Sequence, residues 1–134
     1  MPGVTYGNKQ QTSPRWAQDQ LDRHTTTQGG SHLERTEFTL PNADGLNIVY
    51  NGTLVGRTWA EKEAGIGYGP ADVAADDQIY LLVYDVDFDN SFFGGDGHCS
   101  LYRHGSQVRE TSLPDWSAMD AATIAKIRSL YEIV

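Results

Sequence analysis

A chain of 134 residues has room for one hydrophobic core, and a formal net charge of −8 makes it repel phosphate, so nucleic acid is a poor partner. A single cysteine, Cys99, rules out an internal disulfide framework, and no apolar run approaches the roughly 18 to 20 residues of a membrane span. The opening residues lack the apolar stretch of a signal peptide, so the expectation is a soluble chain, cytoplasmic or virion-associated, that meets proteins rather than membranes.

Residues 1–36 are rich in Gln, Thr, Gly and Ser and carry few apolar side chains, which predicts a polar N-terminal arm with little structure of its own. Only "SPRWAQDQLDRH" reads as helical, with Ser13 as cap, Pro14 in the first turn, and Trp16 and Leu21 free to dock on a neighbouring chain. Residues 37–134 read as the folded domain. "TEFTLP", the turn "NADG" and "LNIVY-NG-TLVGRTW" suggest a meander. Its Asn51-Gly52 pair predicts a type I′ hairpin with Val49 opposite Leu54.

The next 18 residues, "AEKEAGIGYGPADVAADD", show no sustained period and read as a long loop with Tyr68 at its centre. The glycines of 65–70 lack the strand, helix start and cation of a phosphate loop. "QIYLLVYDVDFD" is the longest strand signal. Tyr80, Leu82, Tyr84, Val86 and Phe88 share one face, while the other runs from Ile79, Leu81 and Val83 into Asp85, Asp87 and Asp89. The first half should be buried on both sides and the second should turn its aspartates to water. "HCSLYRHG" should return antiparallel. The closing "DWSAMDAATIAKIRSLYEIV" reads as a helix that Ser117 can cap, with Ile124, Ile127, Leu130, Tyr131 and Val134 as its apolar stripe. The predicted fold is α+β: a twisted antiparallel sheet of about five strands, packed by this C-terminal helix, with the extended arm outside it.

Three chemistries are suggested by residues 85–104. Asp85, Asp87, Asp89, Asn90, Ser91, Phe92 and Asp96 follow the spacing of a calcium loop. The stretch resembles an EF-hand loop and, in its final Asp, the dockerin form, which implies Asp85, Asp87, Asp89 and Asp96 as calcium ligands. On a continuous strand these carboxylates stand about 7 Å apart, so chelation requires the strand to end near Tyr84. Cys99 beside His98 suggests a thiol nucleophile and base, but neighbours on a strand face opposite ways. Asp96 and His98, flanking one glycine, could form an acid–base pair. His98 and His104 lie about 20 Å apart if extended, too far to share a metal.

No catalytic set survives these spacings. The expected function is therefore a non-enzymatic, acidic protein-interaction module within a larger assembly, such as a phage or virion accessory subunit. It would dock through the arm and loops, with Trp16, Tyr68, Phe92, Phe93, Asp87 and Asp89 as contacts. The alternatives are a soluble inhibitor or immunity-type protein that masks a basic site, and a calcium-stabilised domain.

Overall fold

The apolar run that begins at Gln78 organises the molecule. In the computed structural model, which describes residues 14–19, 21, 25–26, 31–89 and 97–134, its side chains alternate between two hydrophobic clusters. Ile79, Leu81 and Val83 enter one cluster with Trp16, Tyr102, Ile127 and Tyr131. Leu82, Val86 and Phe88 enter the other with Leu33, Val55, Tyr68 and Leu101. A strand buried on both faces is what alternating apolar residues produce when both sides find a cover.

The regular ladders are short. β1 (Ile48–Val49) pairs antiparallel with β5 (Val86–Asp87), and β2 (Leu54–Arg57) lies between β3 (Gly69–Pro70) and β4 (Gln78–Leu81), antiparallel to both. β6 (Gln107–Val108) runs parallel to β7 (Glu132–Ile133). These sheets of two and three strands replace the single five-stranded sheet expected. Isolated bridges extend the pairing: Leu82 with Leu101, His32 with His98, and Leu33 with Tyr68. With the β3-β2-β4 ladder they form a ring of backbone pairings that returns to its start. Each of its five segments gives a residue to the second cluster: Leu33, Val55, Tyr68, Leu82 and Leu101. The return of 98–103 is antiparallel, as expected, with Val83 N–H on Ser100 O at 3.0 Å and Tyr102 N–H on Leu81 O at 2.9 Å.

The Asn51-Gly52 turn forms, but the hairpin ladder does not. Thr53 N–H donates to Tyr50 O at 3.3 Å, and Gly52 alone has positive φ, at 85°. A type I′ turn needs positive φ at both central residues. Positive φ at the second alone is the mark of type II, which splays its strands. β1 and β2 accordingly diverge to separate partners, β5 and β4.

The segment expected to be an outlying arm contributes to both clusters. Trp16 is 1 % exposed and Leu33 2 %. Arg109 N–H donates to Trp16 O at 2.7 Å, and Gln18 N–H to Gln107 O at 3.1 Å, so Ala17 is bridged antiparallel to Val108 rather than wound into the predicted helix. Burial of the indole and pairing with β6 outweigh a weak local helical preference. Ser13 lies outside the described residues.

Two α-helices form. α1 (Trp59–Glu63) rises from within the stretch read as a loop, and α2 (Ala121–Leu130) is the expected C-terminal helix. Asp120, not Ser117, caps α2 by accepting Thr123 N–H at 2.8 Å, while Ser117 sits in a preceding 3-10 turn, Trp116–Ala118. Ile127 and Tyr131 are buried as the stripe predicts, but Val134 is 56 % exposed because the chain leaves the helix at Tyr131 to make β7. The Tyr131 hydroxyl fixes that exit. It donates to Tyr102 O at 2.7 Å and accepts Leu81 N–H at 3.0 Å inside the first cluster.

Candidate interaction surface

The sequence Thr58-Trp59-Ala60-Glu61 is a helix start in miniature. Thr58 Oγ1 accepts Glu61 N–H at 3.1 Å, and Glu61 Oε1 accepts Thr58 N–H at 2.9 Å, a reciprocal capping box that satisfies two N-terminal donors at once. Asp77 Oδ2 takes a third, Trp59 N–H, at 2.8 Å. The far end is closed by Ala64 N–H on Ala60 O and by Gly65 at φ 78°, where the absence of Cβ removes the cost of the left-handed turn. Short isolated helices are marginal in water, so these caps are what hold α1 in place.

None of the five residues of α1 is buried. Trp59, its first residue, is 54 % exposed, and Ile66, just past its end, is 37 % exposed. The Lys62 ammonium stands 5.5 Å from the centre of the Trp59 ring, over one face. Residues 58–77 carry five carboxylates, Glu61, Glu63, Asp72, Asp76 and Asp77, against the single ammonium of Lys62. Asp72 and Asp76 are folded into one turn, with Asp76 Oδ2 accepting Asp72 N–H at 2.8 Å. Burial raises the Asp76 carboxyl above its ordinary value, the Asp72 N–H offsets part of that rise, and Glu61, Asp72 and Asp77 add to it by repulsion. These acids therefore share one field. The surface is an exposed indole on a capped helix within an acidic stretch of chain.

The residues expected to make contacts are distributed differently. Tyr68 is 3 % exposed, with the Arg57 guanidinium 4.3 Å from its ring centre and its backbone bonded to His32 and Glu34. Trp16 is equally enclosed, its indole N–H donating to Asn51 Oδ1 at 3.0 Å. In this fold neither side chain is on the surface. Phe92, Phe93, Asn90, Ser91 and Asp96 lie outside the described residues.

The aspartates of the opening strand signal part company. Asp85 is 8 % exposed, and its Oδ1 accepts both the backbone N–H of Asn51 at 2.7 Å and the side-chain amide at 2.8 Å. Burial raises its carboxyl and the two Asn51 bonds offset part of that rise. Asp87, also 8 % exposed, accepts Asp89 N–H at 3.0 Å, and Asp89 accepts the Asn47 amide and faces Arg35 at 3.9 Å. The expected wet face is thus realised only at Asp89, because β5 docks on β1 and carries Asp87 inward. The strand does break between Leu81 and Val86, yet Asp85, Asp87 and Asp89 turn to separate protein partners. Among the described residues no group of three or more His, Cys, Asp or Glu side chains is arranged to hold a metal.

The thiol reading also meets its geometry. Burial pushes the Cys99 thiol up to about 12, and His98, its neighbour, is exposed. A thiol so protonated is a poor nucleophile. His104 stacks on Tyr80 at 4.4 Å and its Nε2 lies 2.6 Å from Ile79 O, which assigns the proton to that nitrogen since a carbonyl only accepts. A cleft of about 240 Å³ opens between Gly52, Pro70, Pro114 and Met119, with Asp115 as the one ionisable side chain among the described residues that line it.

Trp59 is the residue that sequence reasoning missed. Its signal was present in Thr58-x-x-Glu61, a capping-box pattern that marks a helix start within the supposed loop. Among the described residues no helix is long and apolar enough to cross a membrane. Compared with protein-family models, curated proteins and solved structures, the chain matches none.

Proposed function

We propose that this chain is a non-enzymatic protein-interaction module that docks through the surface around Trp59. The observation that carries the reading is a capped helix that buries none of its own residues and holds an indole outward. The caps hold α1 without burying it, which leaves its outer face for a partner. Tryptophan is among the side chains most enriched at binding hot spots, because it brings large area at small entropic cost. The test is a paired pull-down from source cells with the full chain and with Trp59→Ala. The reading expects at least one partner retained by the first and lost from the second. Identical captures by two equally stable proteins would overturn it.

A further inference from the structure

The Trp59 surface also has a definite electrostatic character. Residues 58–77 carry five carboxylates, of which Asp77 and Glu61 bind the start of the Trp59 helix and Asp76 is repelled by Glu61, Asp72 and Asp77, while among the described residues Arg57 and Lys62 are engaged. Arg57 is held by Gln78 Oε1 at 2.9 Å, by Ile66 O at 3.0 Å and by the ring of Tyr68. Lys62 lies over one face of Trp59. An indole face attracts cations through its quadrupole, and the attraction grows as water is excluded. With Lys62 on one side and more than half the residue exposed, Trp59 can still accept a second cation. Ile66, 37 % exposed and tied back to the helix by its N–H on Glu61 O at 2.9 Å, supplies apolar surface at the other end of α1.

Resting on the docking reading above, we infer that the partner presents a cationic segment, with an arginine or lysine stacked on Trp59, an apolar neighbour on Ile66, and further basic charge facing Glu63, Asp72 and Asp76. The net charge of −8 favours such a partner at a distance as well as in contact. Lys62 then acts as an internal competitor. It holds the ring in the absence of a partner and subtracts one unit from the attracting field.

The experiment follows the indole N–H resonance of Trp59, assigned with Trp59→Phe, in the full chain titrated with an eight-residue peptide of alternating arginine and leucine. A peptide of alternating glutamate and leucine is the control. Saturable shifts are expected with the basic peptide only. Affinity should fall about tenfold as salt rises from about 50 to 300 mM. Lys62→Ala should tighten binding severalfold and Glu63→Lys should weaken it severalfold. No shift, an equal response to the acidic peptide, or loss of affinity in Lys62→Ala would overturn the inference. So would a shift produced by concentrating the chain alone, which would make a second copy the occupant. If the paired pull-down still depends on Trp59 while the basic peptide fails to bind, the docking surface stands and the cationic class fails. If the pull-down is indifferent to Trp59, the surface itself fails.

Discussion

Trp16 and Asn51, 35 residues apart, are joined by a hydrogen bond of 3.0 Å from the indole N–H to Oδ1. Asn51 is oriented for this by Asp85, which takes its amide N–H and its backbone N–H on one oxygen. Three remote segments thus meet at one side chain. Asn51→Ala should cost about 2 to 4 kcal/mol, since it strips the indole N–H of its partner and leaves a buried carboxylate with one donor fewer. Urea unfolding measures this; a loss under about 0.5 kcal/mol would mean that the link does not secure the N-terminal segment.

Gly52→Ala should be among the most damaging small substitutions. Its φ of 85° is strained for any residue with Cβ, and that Cβ would lie 2.5 Å from Pro114 Cδ and 2.9 Å from Trp16 Nε1. Left-handed strain and overpacking together predict a loss of about 2 to 4 kcal/mol. Gly45→Ala, with φ 77° but open space around it, should cost only the backbone part. Equal losses at both sites would refute the steric contribution.

Asp85 gives the pH dependence a sign. Burial raises its folded value above the ordinary 3.8, so the folded chain holds this proton more tightly than the unfolded one. Stability from that site is therefore present below 3.8 and is lost as pH rises through the raised folded value. Asp85→Asn removes the titration while keeping an acceptor oxygen. The difference in Tm, variant minus wild type, should become more positive as pH rises through this window and level off above it. A difference that stays constant with pH would show that Asp85 does not titrate abnormally.

Cys99, part-buried against the second cluster, should react slowly in the native fold. With its thiol raised from 9.0 to about 12, the thiolate fraction at neutral pH is about a thousandfold below that of an ordinary cysteine. Iodoacetamide should label it slowly in buffer and rapidly in urea. Rapid native labelling would contradict a thiol held protonated by its surroundings.

Thr58→Ala should loosen α1 without unfolding the molecule. The capping box is worth about 1 kcal/mol, and because the helix buries none of its own residues that loss is local. Hydrogen exchange at Ala64, whose N–H closes on Ala60 O, should quicken while global Tm stays nearly constant. A large fall in Tm would show that α1 supports the core.

Much of the core was legible in the chain. The alternation from Ile79 to Phe88 placed the aliphatic side chains on two sides but failed at the break before β5, where Tyr84 is 43 % exposed and Asp85 buried, and the C-terminal spacing identified the helix and its buried Ile127. Local turn chemistry was legible too, since Gly45 N–H closes on Asn42 O at 2.9 Å in the predicted "NADG" turn. The candidate surface was half legible: its acids and the Thr58-x-x-Glu61 start stand in the sequence, but exposure of Trp59 does not. A tryptophan is buried or displayed according to what folds against it. Trp16 and Trp59 make the contrast, at 1 % and 54 % exposed.

By itself the sequence determined the acidic field, the buried strand, the C-terminal helix and the sites of the turns, because charge, period and glycine are local properties. Only the tertiary structure decided that β1 and β2 part to different sheets, that Trp16 and Leu33 draw the polar N-terminal segment into both clusters, and that Asp85 and Asp87 turn inward. Each of those outcomes depends on a partner far along the chain: β5 for β1, β6 for the segment around Ala17, and Asn51 for Asp85. A pattern of neighbours carries no information about such distant pairings, since the burial and hydrogen bonds that stabilise them exist only once the chain has closed on itself.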